Sequence, residues 1–391
     1  MATQQTRCLL RLGMVGGGRG AFIGAVHRQC ARMDGRYALV AGALSADPKR
    51  ARQSAADLGL AADRAYADYE AMAAAEAARP DGIEVVSIVT PNDSHHAIAR
   101  AFLDRGIHVI CDKPMTTTLA DALDLVAVVK RGGLIFGLTH VYTGYPMVRQ
   151  ARDMVAAGEL GPVRVIQVEY AQDWLATELE AGGNKQADWR TDPARAGAGG
   201  AIGDIGSHAY NLAGFISGLE VTELAADLTA FVPGRRLDDN GHLLLRYEGG
   251  ARGMLWASQV APGNRNALRV RVYGEKASLE WGQEAPDRLS FAALGEWPQM
   301  LHRGAPGLGA AAAHASRLPP GHPEGYIEAF ANIYRDLAEQ IEAKRDGRPP
   351  DPLTLSVPTV EDGARGVNFI RAAVDSSRQD GKWVKTTLAL D

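Results

Sequence analysis

The chain predicts an α/β protein, with an N-terminal doubly wound parallel sheet followed by an α+β region built on an open, largely antiparallel sheet. Three observations predict it. Strands and helices alternate through residue 140, and a glycine-rich turn joins the first strand to the first helix. Beyond residue 140, strands follow one another without helices between them. At 391 residues the chain exceeds one ordinary core. The change of pattern divides it into residues 1–142 and 143–391.

Residues 8–16 are apolar and end in glycines, as a buried parallel strand does. A helix is expected over 21–32, a strand over 38–44, and a helix over 48–58 with Pro48 in its first turn. Residues 68–78 are Ala-rich and helical, and the β-branched run 84–90 is a strand. Ser94 is the expected cap of a helix that stops at Gly106. A strand over 108–112 precedes a helix opened by Thr118 and Asp121 as a capping box and closed at Gly132-Gly133; 134–140 is the next strand. The second region reads as a helix at 145–157, a strand at 163–170, and a helix carrying Asp204 and His208. Strands at 221–232, 241–248, 251–260, 268–273 and 277–281 follow, then a long loop at 304–320 and helices at 324–343 and 359–376. The last helix is expected to pack back near the first domain.

Composition limits the partners. The chain is 46% hydrophobic and 23% charged, with a net charge of -4, so no basic stripe points to nucleic acid. No apolar run reaches the roughly 18 residues of a membrane span. Residues 1–7 are polar and the apolar stretch after them runs into the glycine loop, so it reads as a strand and not as a leader. Cys8, Cys30 and Cys111 are scattered, without zinc or disulfide spacing. A reduced cytoplasm is the expected setting, and no metal is expected.

Gly16-Gly17-Gly18-Arg19-Gly20-Ala21 fits G-x-G-x-x-[G/A] between a strand and a helix. Such a loop needs glycines because its backbone turns sharply and closely approaches a pyrophosphate, which the helix N-terminus then binds through free N–H groups and its dipole. Phe22 and Ile23, which open the helix, join the expected contacts. The carboxylate that usually holds a ribose 2′-hydroxyl is missing at Leu44 and Ser45. Ser45, Lys49 and Arg50 suit a 2′-phosphate or are simply a solvated face, so the cofactor reads as NAD or NADP. Thr90-Pro91-Asn92 with His95 lies at a strand's carboxyl end, where the nicotinamide half is expected; equally, 91–94 reads as a plain turn and cap.

Lys113, before Pro114 and after Asp112, sits on a strand-end loop at the same edge. Asp204 and His208, preceded by the glycines of 199–203, stand four apart and share a helical face. Hydride transfer from a secondary alcohol requires proton removal and stabilisation of an alkoxide-like oxygen. His208 is the expected base or acid, Lys113 the electrostatic stabiliser, and Asp204 the group that holds the hydroxyl or biases the imidazole. Tyr142, Trp174, Trp189, Arg190 and His322, in the turn 321–326, are candidate contacts for a sugar or polyol ring.

These motifs, in this order, resemble the glucose–fructose oxidoreductase / inositol dehydrogenase (Gfo/Idh/MocA) family over nearly the whole chain. The resemblance rests on the loop 16–21, Thr90-Pro91-Asn92 with His95, Asp112-Lys113-Pro114 in place of the usual Glu-Lys-Pro, and Gly199-Gly200-Ala201 leading to Asp204 and His208. It implies a Rossmann domain, a C-terminal domain whose sheet forms a homodimer or homotetramer face, and Lys113, Asp204 and His208 as the catalytic trio. It also implies that Asn92 and His95 lie near the nicotinamide ribose. Asn211 departs from the second Asp that many members carry after the histidine. The resulting expectation is NAD(P)-dependent oxidation or reduction of a ring hydroxyl on a sugar, sugar derivative or inositol. The alternatives are an NAD-dependent glycosidase working through transient oxidation and a non-catalytic cofactor sensor.

Overall fold

A computed structural model describes residues 9–390. The polar start at 1–7 and Cys8, expected to open the first strand, lie outside the described residues. The first domain runs β1 (Leu10–Gly16), α1 (Phe22–Met33), β2 (Tyr37–Ala43), α2 (Pro48–Asp57), α3 (Tyr69–Ala78), β3 (Val85–Val89), α4 (His95–Leu103), β4 (His108–Cys111), α5 (Leu119–Gly132) and β5 (Phe136–Leu138). Its strands form a five-stranded parallel sheet in the order β2-β1-β3-β4-β5. Continuous apolar runs such as Val85–Val89 are buried on both faces, as a sheet with helices on each side requires. Thr118 caps α5 by accepting from the Asp121 backbone N–H, and the helix stops at Gly133 with φ 58°.

The second domain runs α6 (Pro146–Ala156), β6 (Val163–Ala171), α7 (Lys185–Arg190), α8 (Pro193–Ala196), a π turn (Ile202–Gly206) and α9 (Ser207–Ser217). There follow β7 (Val221–Thr229), β8 (Asn240–Tyr247), β9 (Arg252–Ser258), β10 (Ala267–Gly274), β11 (Ala277–Gly282), β12 (Arg288–Ala293) and β13 (Gln299–His302). The chain closes with α10 (Ala310–Ala315), α11 (Tyr326–Arg345), α12 (Val360–Ser377) and β14 (Val384–Lys385). The nine-stranded sheet has the order β13-β12-β11-β10-β6-β9-β8-β7-β14, antiparallel except where β6 lies parallel to β9. Period-two patterning sorts its faces. Ile166, Val168, Leu243, Leu255, Val270 and Leu279 point inward and are buried, each stabilising by about 1.5–3 kcal/mol. Leu244 and Met254 point outward and are exposed.

The two sheets are tied by the closing helices: α11 packs on α1, and α12 lies against α5, β5, β7 and α9. The Leu138 N–H donates to the Pro358 carbonyl at 2.8 Å, so the segment before α12 joins the edge of the parallel sheet.

Several expectations need correction. The strand expected over 134–140 keeps only Phe136–Leu138, because Thr139 and His140 turn away into the site. Ser94 does not cap α4; its hydroxyl bonds Thr90 Oγ1 and the Pro91 carbonyl within a 3-10 turn. The strands expected to reach 232 and 260 end at Thr229 and Ser258, where polar loops begin. The loop expected over 304–320 contains α10. The hairpin β12–β13 and the short β14 carry no strong alternating pattern and were not expected.

Candidate active site

The glycine loop leaves β1 through Gly16 (φ 79°) and Gly17 (φ 71°), conformations in which a side chain is strained. A Cβ on Gly24 would lie 2.3 Å from the Gly17 Cα, so that pair sets how closely α1 approaches the turn. Ala21 offers no side-chain cap, leaving the first N–H groups of α1 open, and Gly20 faces empty space. The Gly18 N–H donates to the Leu44 carbonyl at 3.1 Å, holding the loop against the end of β2. An uncapped helix start behind a glycine turn is the donor set a dinucleotide pyrophosphate takes, so the residues present fit such a cofactor. Phe22 is 73% exposed beside this opening and Ile23 is half-buried behind it.

Around the loop, Arg19 pairs with Asp57, 2.7 Å from Nη2 to Oδ1, and with Gln53 at 3.2 Å. Ser45 accepts from the Asp47 N–H at 3.1 Å, while Lys49 and Arg50 stand exposed at the start of α2, which Asp47 caps. Asn92 donates to the Ala196 carbonyl at 3.0 Å and so ties the Pro91 turn to the second domain. His95 calls for a correction. It is fully buried, its ring spanning the Pro114 carbonyl (2.9 Å) and the Thr90 carbonyl (2.8 Å). With both nitrogens engaged it is a strut between two loops and is not free to touch a ligand.

Lys113 leaves β4 on that strut, its peptide bond to Pro114 being cis. Its Nζ lies 2.9 Å from Asp204 Oδ1, both side chains being mostly buried. Asp204 also accepts from Arg190 Nε (3.2 Å) and Gln259 Nε2 (2.9 Å). Burial raises its carboxyl, but the Lys113 and Arg190 charges outweigh that and hold it well below the ordinary range. Neighbouring Asp112 is held by Thr139 at 2.6 Å and His27 at 3.3 Å. Its burial is outweighed by His27, which brings it down to about 2.

Asp204 sits in the π turn and His208 in the first turn of α9, so the expected continuous α-helix is widened between the two expected acid/base residues. Asp238 shapes that turn: its carboxylate accepts from the Gly200 and Ile202 N–H groups at 2.7 and 2.8 Å. His208 is 8% exposed, and its ring partner is His140, Nδ1 to Nδ1 at 3.3 Å, whereas Asp204 faces Lys113. Burial, then Lys113 and His140, push the His208 imidazolium well below the usual range.

Of the expected substrate contacts, the structure gathers Trp174, Trp189 and Arg190 beside Asp204. The guanidinium lies 4.1 Å over the Trp189 ring and 6.0 Å from that of Trp174. Tyr142 is corrected: it is 4% exposed, its hydroxyl bonds Tyr170, and its ring stands edge-on to His208 at 4.9 Å, so it backs the imidazole. His322 is corrected too. It stands exposed on a turn whose carbonyl bonds Arg303, and among the described residues no contact joins it to Lys113, Asp204 or His208. From the same turn Tyr326 reaches inward, its phenol raised by burial and then by Tyr142 and Asp112. Asn211 lines a different groove, with Arg152, Glu220 and Arg365.

Sequence reading missed a polar row at the strand ends. Tyr170 and Gln172 both donate to Asn266 Oδ1 at 2.7 Å, and Gln259 links Gln172 to Asp204. The available signal was a polar residue directly after, or before, each alternating strand. Among the described residues no cluster of metal-ligating groups occurs, and no helix is long and apolar enough to cross a membrane.

Comparison with known proteins agrees with this fold. Residues 10–157 match the family described as "Oxidoreductase family, NAD-binding Rossmann fold", and 148–280 match "GFO/IDH/MocA C-terminal domain". The chain is 38% identical over 379 residues to an uncharacterized oxidoreductase, YfiI, of Bacillus subtilis, covering 96% of each. It is 52% identical to an oxidoreductase from Sinorhizobium meliloti, with a TM-score of 0.89 over 97% of this chain and 100% of that one. An inositol dehydrogenase homolog from Azotobacter vinelandii, solved with NAD+, is 38% identical with a TM-score of 0.92 over 96% of this chain and 97% of that one. An inositol dehydrogenase homolog from Azotobacter vinelandii solved with NADH and myo-inositol is 37% identical, with a TM-score of 0.89 over 96% of this chain and 97% of that one. The chain belongs to the GFO/IDH/MocA family of oxidoreductases, with an NAD-binding Rossmann domain at its N-terminus.

Proposed function

We propose that the protein is an NAD-dependent dehydrogenase acting on a secondary ring hydroxyl of a cyclitol or sugar, with myo-inositol the first candidate. The observation that carries it is the convergence of Lys113 from the first domain with Asp204 and His208 from the second, at the carboxyl edge of the parallel sheet. Residues 1–142 hold the dinucleotide and contribute Lys113, and 143–391 supply the rest of the polyol site. The cofactor, held by the loop 16–21 and the start of α1, supplies a hydride acceptor for the carbinol carbon.

The remaining chemistry belongs to the chain. As the carbinol C–H pair leaves as hydride, His208 Nε2 takes the hydroxyl proton. Lys113 donates to the same oxygen and stabilises its developing charge. The products are ketone, reduced cofactor and a protonated imidazole; in reverse, His208 returns the proton. Asp204 keeps the ammonium aimed at the cleft, and Arg190 with Trp174 and Trp189 receives the ring. NAD is favoured over NADP because Arg19, the cation of the glycine loop, is already paired with Asp57, and Asp47 adds a carboxylate beside Ser45 just after β2. The outward sheet face bearing Leu244 and Met254 supports a homo-oligomer, checked by sedimentation of wild type against Met254→Lys.

The test is the change in NADH absorbance with myo-inositol and a panel of sugars, using each nucleotide in turn. Turnover with NAD and a polyol is expected. Nucleotide binding without turnover on any cyclitol or sugar defeats the reading.

A further inference from the structure

The structure assigns His140 as the positioning residue of His208, an inference that rests on the dehydrogenase reading above. A buried imidazole serving as an acid/base needs a partner on its second nitrogen to fix its tautomer. That partner is commonly a carboxylate or a carbonyl. Here it is a second imidazole: His140 Nδ1 lies 3.3 Å from His208 Nδ1, and the rings stand at 82° with centroids 5.1 Å apart. His140 is 2% exposed, and its backbone is fixed by the Thr143 hydroxyl donating to its carbonyl at 3.0 Å. Asp204, the acid within reach on the helix, is committed to Lys113, Arg190 and Gln259.

One proton occupies the space between two facing Nδ1 atoms, and this gives two arrangements. If His208 Nδ1–H donates to His140, His208 Nε2 carries a lone pair and is a base, as alcohol oxidation requires. If His140 Nδ1–H donates to His208, His208 Nε2 carries the hydrogen and is an acid, as ketone reduction requires. A carboxylate at this place allows only the first and favours the imidazolium. A neutral imidazole permits both, so this chain's site is poised for either direction.

The surroundings agree. The groups facing the pair are Lys113, Asp112, Tyr142 and Tyr170. Burial and then Lys113 bring His140 down to about 3, against a smaller opposing pull from Asp112, so the backing ring stays neutral.

The test combines tautomer, pH and rate. In wild type with 15N-labelled histidine at pH 7, one of the two Nδ1 atoms should give an N–H signal and the other that of a bare nitrogen. Two protonated or two bare Nδ1 atoms overturn the assignment, without reference to activity. His140→Phe, which fills the space without a hydrogen bond, should lower kcat about 10- to 100-fold with KM and NAD affinity unchanged. His140→Asn, able to donate or accept, should recover most of it. His140→Asp should move the acid limb of kcat/KM for alcohol oxidation up by at least one pH unit and slow ketone reduction more than oxidation. Wild-type rates and an unmoved pH profile in both His140→Phe and His140→Asp, in a protein that does oxidise polyols, overturn the inference and leave the dehydrogenase reading intact. An inactive wild type with the expected 15N pattern does the reverse.

Discussion

Lys113 Nζ and Asp204 Oδ1 meet at 2.9 Å across the boundary between the two domains, one on the loop after β4 and the other in the π turn before α9. Both are largely shielded from water, and against the burial that raises the Asp204 carboxyl, Lys113 and then Arg190 keep it ionised. Lys113→Met therefore removes the donor to the substrate oxygen but leaves Asp204 bonded to Arg190 and Gln259. The expected outcome is a fall of about 10²–10³-fold in kcat with NAD affinity near wild type. Steady-state kinetics with a fluorescence titration of the nucleotide checks it; undiminished turnover removes Lys113 from the proposed chemistry.

A Cβ at position 18 would lie 2.5 Å from the Leu44 carbonyl and 2.6 Å from Ser54 Oγ, so neither the backbone of β2's end nor α2 leaves room for it. Gly18→Ala should push the loop off Leu44, breaking the 3.1 Å bond from its own N–H and displacing the N–H cradle in front of α1. We expect NAD binding at least tenfold weaker in calorimetry, with kcat at saturating NAD nearly unchanged. The global fold should persist, because the displaced atoms lie at the surface end of β1.

How much of this was open to sequence reading depends on how local each feature is. The strands of the first domain announce themselves because burial on both faces demands unbroken apolar runs, and the glycine loop because only glycine tolerates its backbone. Lys113, Asp204 and His208 were legible as types at spacings. Their partners were not. The sequence pattern carries a strand on to His140, and only the early end of β5 at Leu138 frees it to turn toward His208. Gln172, Gln259 and Asn266 are isolated polar residues in sequence, made neighbours by the parallel pairing of β6 with β9 and by β10 alongside. His95 and Tyr142 are the opposite case: sequence shows their polar atoms but not that these are already bonded within the protein.

Asp238 makes the π turn sensitive to pH. Burial is the main influence on its carboxyl and raises it to about 6, against the lowering by the Ile202 and Gly200 N–H groups. The folded value lies above the unfolded one of about 4, so the ionised cap costs stability, and that cost sets in as pH rises from 4 to 6. Below pH 6 the carboxyl is protonated and one of its two acceptors for the turn weakens. An acid limb in kcat near pH 6 is expected in wild type. Asp238→Asn should show a lower kcat that is flat across this window. An identical limb in the variant would place the titration elsewhere.

Three histidines oppose acid in the folded protein: His140 and His208, which are buried, and the half-buried His108. Burial lowers His108 to about 4 and His140 to about 3, and takes His208 well below its usual range. Each folded value lies below the unfolded one of about 6.5, so the unfolded chain binds more protons wherever pH is below that value. Their contribution is fully present above pH 7 and is lost progressively as pH falls from about 6.5 toward 4. Urea denaturation at a series of pH values should therefore give a steep loss of stability between pH 6.5 and 5, with uptake of more than one proton on unfolding. His140→Phe should reduce that uptake by about one proton per molecule, since the group that must be charged on unfolding is gone. A slope unchanged by the substitution would mean that His140 titrates alike in the folded and unfolded chains, at odds with its burial.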